Sequence, residues 1–230
     1  YIVDEMANDA TPFDEGKPHY VVYKLLYDIV DQGLCERDPF TTDWDASKIA
    51  MAKGEIGSMT LGSWAVGQIQ EAATEAGEDP DNIGYMPFPV SSADGTQYVS
   101  ASGDYSYAIN VNSSNKATAR AFIDYMLQES GYADKQGEIS IVKGSALPST
   151  LADFEGANMV VDNPASPENE GKWDAVHNES ELALWSGSEY QTELIEAAFG
   201  NVDKDFDTMM GEWNAKWSAA LDSVNATWDK

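Results

Sequence analysis

Residues 43–70, DWDASKIAMAKGEIGSMTLGSWAVGQIQ, contain the stretch that decides how this chain folds. The pattern predicts a short helix that stops at residues 53–54, Lys-Gly, and an extended strand over residues 56–61. A tight turn at residues 62–63, Gly-Ser, then leads into a second helix that ends before Gly77. The stretch therefore predicts a helix, a strand and a second helix joined by short turns.

Trp64 follows the Gly-Ser turn directly, and Ser63 is predicted to N-cap the second helix. At the start of the first helix, Thr42 and Asp45 have the spacing of a capping box. Open α/β sheets tend to hold ligands where a strand ends and a helix begins. The pattern leaves two interpretations of Trp64 open: the indole faces a ligand, or it fills the core.

Three segments of the chain resemble, in this order, the second half of extracellular solute-binding proteins that serve ABC importers. They are GLCERDPFTTDWDASKIAMAKGEIGSMTLGSWAVGQIQ at 33–70, IGYMPFP at 83–89 and SASGDYSYAINVNSSNKATARAFIDYML at 100–127. The resemblance covers residues 16–224 and is greatest to the sugar-binding family that includes maltose-binding protein. It implies an α/β fold of the periplasmic-binding-protein-like type II, represented here by the C-terminal lobe with part of the hinge and of the N-terminal lobe.

The resemblance also implies how the chain is divided between the lobes. Residues 1–99 would form the first part of the C-terminal lobe. Residues 100–140 would supply a hinge strand and a helix to the N-terminal lobe, and residues 141–230 the closing helices of the C-terminal lobe. These boundaries are expectations from the family pattern alone.

The function implied by the resemblance is the capture of a sugar or oligosaccharide by hinge closure and its delivery to the permease subunits of an ABC importer. Such a protein performs no chemistry, needs no cofactor or metal, and works as a monomer. It lies outside the cytoplasm, as a cell-surface lipoprotein or in the periplasm. The chain opens at Tyr1 without a signal-peptide pattern, so we expect a leader or anchor cysteine either to lie upstream or never to have existed.

Sugar-binding clefts combine flat aromatic rings, which stack on the apolar faces of the sugar, with polar groups that pair with hydroxyls. By resemblance, the indole of the GSW turn is an aromatic ligand contact. The segment SGDY offers backbone amides, a carboxylate and a phenol, and a further aromatic contact is expected near ALWSGSEY. The candidate ligand-binding residues are Gly62, Ser63, Trp64, Gly103, Asp104, Tyr105 and Trp185.

Acidic residues dominate the composition, with 40 Asp and Glu against 13 Lys and Arg and a net charge of −27. Such a surface repels phosphate backbones and anionic lipid, which argues against nucleic acid and charged membranes as partners. No apolar run approaches the length of about 18 residues that a membrane span needs. Polyamine remains the rival ligand class, because acids and aromatic rings suit a cationic chain.

Catalytic and metal-binding patterns are sparse. His19 and His177 are the only histidines, and neither has a cysteine or another histidine at metal-binding spacing. The acids at 203, 205 and 207 imitate the start of a calcium loop but lack its glycine and its final glutamate, so helix capping explains them better. A secreted carbohydrate-active enzyme and an adhesion module without a small ligand are the alternatives from other functional classes.

Apolar periodicity predicts further helices over residues 17–32, 116–128, 188–198 and 204–224, and alternation predicts strands over residues 83–88 and 105–111. The last helix carries the longest apolar stripe, and its two tryptophans are predicted to be core residues rather than ligand contacts. The stripe consists of Phe206, Met210, Trp213, Trp217, Leu221 and Val224.

Overall fold

A computed structural model describes residues 1–92, 94–103, 106–161, 163–184 and 189–228. Within these ranges the α-helices are, in chain order, α1 (Pro18–Asp31), α2 (Trp44–Ala52), α3 (Trp64–Ala76), α4 (Lys116–Gln128), α5 (Tyr132–Lys135), α6 (Lys172–Ser180), α7 (Glu189–Ala198) and α8 (Phe206–Asn225). The strands are β1 (Tyr98–Ala101) and β2 (Asn158–Val161). Over the described residues, none of the helices combines the length and apolar character needed to cross a bilayer.

The chain divides into two compact units. The first consists of Tyr1–Thr42 and Asn163–Lys230, and the second of Asp43–Asp162. The first unit contains α1, α6, α7 and α8, while the second contains α2 to α5 and both strands.

Helix α8 forms the centre of the first unit and packs on α6, α7 and α1. Asp205 is its N-cap and accepts a hydrogen bond from the backbone N–H of Thr208 at 2.7 Å. The predicted apolar stripe of α8 is buried up to Leu221 and partly buried at Val224. Trp217 is fully buried, and its Nε1 donates to the carbonyl of Asp9 at 3.0 Å. The prediction that the tryptophans of α8 are core residues is therefore confirmed.

The N-terminal segment of the first unit packs into this helical core. The ring of Phe13 is fully buried and meets Trp213 edge-on, with the ring centroids 5.7 Å apart. Its backbone N–H donates to the side chain of Asn214 at 2.9 Å. Asp4 accepts hydrogen bonds from Ser166, so a polar contact fixes the same segment beside α6.

Helices α2 and α3 pack against each other in the second unit. Their interface contains a small buried cluster of Ala65, Ile69, Ala73 and Ile83. Gly77 ends α3 in the left-handed conformation, which glycine adopts without steric cost. The cluster fixes the position at which α3 begins, directly after the Gly-Ser turn.

Strands β1 and β2 form a parallel pair in which Tyr98 lies opposite Asn158 and Ala101 opposite Val161. Neither strand was predicted, because β1 lies in a Ser/Gly-rich segment and β2 in a polar one. A strand is stabilised by its neighbour, so a partner distant in sequence can form a ladder where the local pattern is weak. This pairing brings residues 98–103 beside residues 158–161.

The predicted helices are confirmed, with α4 matching its predicted bounds and the others shifted by one or two residues at most ends. The N-cap of α2 differs from the predicted one. The side chain of Asp43, rather than that of Thr42, accepts a hydrogen bond from the backbone N–H of Ala46. In α1 the buried residues are Tyr23 and Val30. Helix α6 was not predicted, since its sequence is too polar to show a clear stripe.

The three predicted strands are wrong over the described residues. Residues 56–61, 83–88 and 106–111 carry no strand hydrogen bonding there. Alternating apolar residues favour an extended backbone, but a strand forms only where another segment accepts and donates its ladder hydrogen bonds. In one of these segments, Tyr85 instead packs its side chain against the ring of Phe154.

Candidate functional site

The second unit contains a concave pocket of about 450 Å³. A volume of this size lies within the range of small-molecule sites. Aromatic rings and serine hydroxyls from widely separated segments face it. The described lining includes Gly62, Ser63, Trp64, Tyr85, Ser100, Ser102, Gly103, Tyr107, Tyr132, Glu138, Ser140 and Phe154.

Trp64 begins α3 and lines this pocket with 45% of its surface exposed. Its indole folds back over Gly62, where an added Cβ would lie 2.5 Å from the indole Nε1. Glycine at position 62 is therefore required for this ring position. Ser63 precedes the helix, but its side chain makes no capping hydrogen bond. Its hydroxyl is thus not engaged in a cap of α3.

Trp44 supports Trp64 from α2, with the two ring centroids 5.8 Å apart and the planes inclined at 56°. The indole Nε1 of Trp44 donates to the side chain of Gln68 in α3 at 3.3 Å. The ammonium of Lys48 lies 5.4 Å from the ring of Trp44. Aromatic and cation–π contacts of this kind each contribute about 1 kcal/mol. The packing of α2 on α3 therefore positions the exposed indole.

Tyr85 and Phe154 form a second aromatic wall, stacked with centroids 5.0 Å apart and planes at 18°. The hydroxyl of Tyr85 donates to the carbonyl of Leu61 at 3.0 Å. Burial raises the pKa of Tyr85, so its phenol stays protonated and continues to donate. This hydrogen bond joins the second wall to the turn that carries Trp64.

Helices α4 and α5 supply a further side of the pocket through Met126, Leu127 and Tyr132. Glu138, which follows α5, is the one carboxylate in the described lining. No lysine, arginine or histidine is among the lining residues that the structure describes. Flat rings, hydroxyls and a single acid suit a neutral polyhydroxyl ligand better than an anion.

Four of the predicted site residues meet in this pocket: Gly62, Ser63, Trp64 and Gly103. Of the two interpretations of Trp64, burial in the core does not fit its exposure. Asp104, Tyr105 and Trp185 lie outside the described residues, so their roles remain predictions.

The sequence did not predict several other residues that support Trp64 or line the pocket with it. Trp44 was placed in a helix without a role, while Tyr85 and Tyr107 were assigned to predicted strands. Tyr132, Glu138 and Phe154 lie in segments with no regular pattern, and no local signal marks them. Their shared feature is a position in the folded unit, which spacing along the chain does not reveal.

Neither histidine lies among the described pocket residues. His19 is in an aromatic cluster with Phe13 and Tyr23. The ring of His177 stacks on Trp173, with centroids 4.7 Å apart. Among the described residues, no group of His, Cys, Asp or Glu side chains has the geometry of a metal site.

The sequence matches the family model of the bacterial extracellular solute-binding proteins over residues 3–133. This match covers more than half of the chain. The chain belongs to this family. A search of curated proteins gave no match.

Solved structures similar to this solute-binding protein come from Bifidobacterium animalis subsp. lactis ATCC 27673. One is a manno-oligosaccharide-specific solute-binding protein in complex with mannotriose, with 38% identity and a TM-score of 0.83. Another is a binding protein of an ABC transporter in complex with mannobiose, with 36% identity and a TM-score of 0.84. The match to the first covers 96% of this chain and 52% of that chain, so the sequence spans about half the length of its relative.

These comparisons confirm the fold class and the resemblance. The solute-binding protein has the α/β fold of the periplasmic-binding-protein-like type II, and the solved structures similar to it are sugar-binding proteins. The relatives are binding proteins rather than enzymes.

Proposed function

We propose that this solute-binding protein captures a neutral sugar or oligosaccharide and delivers it to the permease subunits of an ABC importer. The pocket around Trp64 carries the proposal. It offers an exposed indole, other aromatic rings and serine hydroxyls, which are the groups that sugars require. The relatives bound to mannobiose and mannotriose support manno-oligosaccharides as the first ligands to test.

The proposed mechanism is hinge closure without chemistry. A ligand contacting both lobes of the complete protein would bind the closed state more tightly and shift the open–closed equilibrium toward it. The division into lobe segments 1–99, 100–140 and 141–230 is part of this proposal. So are an extracytoplasmic location, attachment as a lipoprotein, and action as a monomer.

In this proposal, Trp64 stacks on a sugar ring and Gly62 gives its indole the space to do so. Ser63 and Gly103 add polar backbone and side-chain groups at the same pocket. Asp104 and Tyr105, which follow Gly103 in the sequence, are proposed as further polar contacts, and Trp185 as a second aromatic contact.

Isothermal titration of the complete natural polypeptide with mannobiose, mannotriose, maltotriose and spermidine tests the proposal. We expect a manno-oligosaccharide to bind. Trp64→Ala should weaken binding by about 10- to 100-fold, because stacking on an aromatic ring contributes about 1–3 kcal/mol when the ring is truncated to alanine. Trp64→Phe should retain much of the affinity, since it keeps a flat ring.

Cationic ligands are the competing class, favoured by the net charge of −27 and by the acid in the pocket. Binding of spermidine with no response to any of the three carbohydrates would overturn the sugar assignment. If new reducing ends appear during incubation with mannotriose, the protein is instead a hydrolase.

A further inference from the structure

We infer that Glu138 is a specificity-determining residue, whose carboxylate accepts hydrogen bonds from hydroxyl groups of the ligand beside Trp64. This inference rests on the proposed function, because it needs a polyhydroxyl ligand in the pocket. The sequence patterns did not mark Glu138 as a ligand-binding residue.

The turn after α5 places Glu138 in the pocket. The backbone N–H of Gly137 donates to Asp134 at 3.0 Å, and that of Glu138 donates to Ala133 at 2.8 Å. Gly137 has a φ of +71°, a left-handed conformation that favours glycine. The chain therefore reverses sharply at the end of the helix, and the next residue, Glu138, lines the pocket.

Close packing fixes this turn against the turn that carries Trp64. A Cβ added at Gly137 would lie 3.1 Å from the Oγ1 of Thr150 and 3.6 Å from the carbonyl oxygen of Ser63. Gly137 is buried, so its backbone has little freedom to move. Glu138 and Trp64, which are far apart in the sequence, are thus held at the same pocket by contacts between their neighbours.

The chemistry of the pocket lining gives the carboxylate a distinct role. The serine hydroxyls can donate or accept, so they tolerate either orientation of a ligand hydroxyl. An ionised carboxylate only accepts, so it requires hydroxyl groups that point toward it. Hydrogen bonds to a charged acceptor are roughly twice as strong as those between neutral groups.

Titration calorimetry of Glu138 variants in the complete natural polypeptide tests the inference, with mannotriose and its monodeoxy derivatives as probes. We expect Glu138→Gln to weaken mannotriose binding by about tenfold and Glu138→Ala by up to about 100-fold. Glu129→Gln is the matched control, because Glu129 is exposed after α4 and does not line the pocket. We expect that control to bind as the wild type does.

The deoxy sugars separate a ligand contact from a structural effect. The derivative that lacks the partner hydroxyl should bind the wild type more weakly than mannotriose, yet bind Glu138→Ala with the same affinity as mannotriose. Loss of the difference for one derivative alone indicates that the two removed groups interact. An equal loss for every derivative would show a structural role and overturn the inference.

Folding is checked first by thermal unfolding of each variant. Glu138→Asp provides a second variant if the others do not fold, because it keeps the charge but shortens the side chain. We expect it to lose on the order of tenfold in affinity with a native melting temperature. Unchanged mannotriose binding in Glu138→Gln or Glu138→Asp overturns the inference alone. Absence of carbohydrate binding in the wild type overturns the proposed function itself.

Discussion

Gly62 shows how one missing side chain can shape a candidate binding site. The indole of Trp64 occupies the space beside it, so the ring can reach the pocket while its backbone starts α3. The sequence predicted a turn here and gave glycine a conformational role. The structure adds a steric role, because any Cβ at this position meets the indole.

The substitution Gly62→Ala should displace the indole of Trp64 and weaken ligand binding by about tenfold or more, since a Cβ lies 2.5 Å from Nε1. Tryptophan fluorescence and titration calorimetry measure the two effects. Gly67→Ala is the matched control, because Gly67 lies in α3 with open space around it. There we expect a gain in stability of up to about 1 kcal/mol and unchanged binding. Identical spectra and affinities in both variants would contradict the steric role.

His177 connects α6 with the segment that follows it. Its Nε2 accepts the backbone N–H of Leu184 at 3.1 Å, so this nitrogen is unprotonated in the folded chain. Burial lowers the pKa of His177 below its ordinary value of 6.5. The unfolded chain therefore binds the proton more tightly than the folded chain.

We expect the stability that His177 contributes to be complete above pH 6.5 and to be lost as the pH falls below that value. Urea unfolding at about pH 7.5 and about pH 5.5 measures the loss. Burial also lowers the pKa of His19, so both histidines make the folded chain less stable as the pH falls. His177→Gln should therefore show a smaller decrease in stability between the two pH values, and an unchanged decrease would refute the assignment.

At the scale of elements, the helices show what local sequence can specify. Each α-helical hydrogen bond joins residues four apart, so an apolar stripe and a capping residue contain most of the required information. Helices α3, α4 and α8 follow their predicted patterns closely. The strands needed distant partners, and for that reason β1 and β2 were missed while other segments were assigned incorrectly.

The N-cap of α8, Asp205, allows a direct test of how one residue stabilises a helix. Its carboxylate caps α8, and hydrogen bonds from Thr208 lower the pKa of Asp205. Asp205→Ala should lower the melting temperature, because it leaves the first turn of α8 with an unpaired N–H. Asp203→Ala is the control, since Asp203 is exposed and outside the helix. A melting temperature that falls equally in both variants would indicate a general charge effect instead of a cap.

The cap should also make Asp205 sensitive to acid. Because the folded pKa is lowered, this contribution is present above the ordinary value of 3.8 and is lost as the pH falls through the folded pKa. The difference in melting temperature between wild type and Asp205→Ala should therefore shrink toward zero in strong acid. A difference independent of pH would argue against an ionised cap.

At the scale of the whole molecule, the surplus of acids is the dominant property. The basic residues can neutralise only 13 of the 40 acids, so the chain carries a net charge of −27. Self-repulsion of this size opposes the compact state while keeping the protein soluble. It also disfavours nucleic acid as a partner.

Added salt should therefore stabilise this solute-binding protein. We expect the melting temperature to rise between about 10 mM and about 500 mM NaCl, because the screening length falls from about 30 Å to a few ångströms and weakens the repulsion between acids. Differential scanning calorimetry measures the change, and KCl should give the same result if screening is the cause. A fall in melting temperature would show that attractive ion pairs outweigh the repulsion.

The sequence by itself determined the charge, the helices that carry regular stripes, the turn at Gly62 and the order of motifs by which the family is recognised. These features depend on neighbours within a few residues or on composition. Only the tertiary structure decided that Tyr85, Phe154 and Glu138 share a pocket with Trp64, and that β1 pairs with β2. Such contacts join segments distant in the chain, and packing and pairing between those segments, rather than local preference, select them.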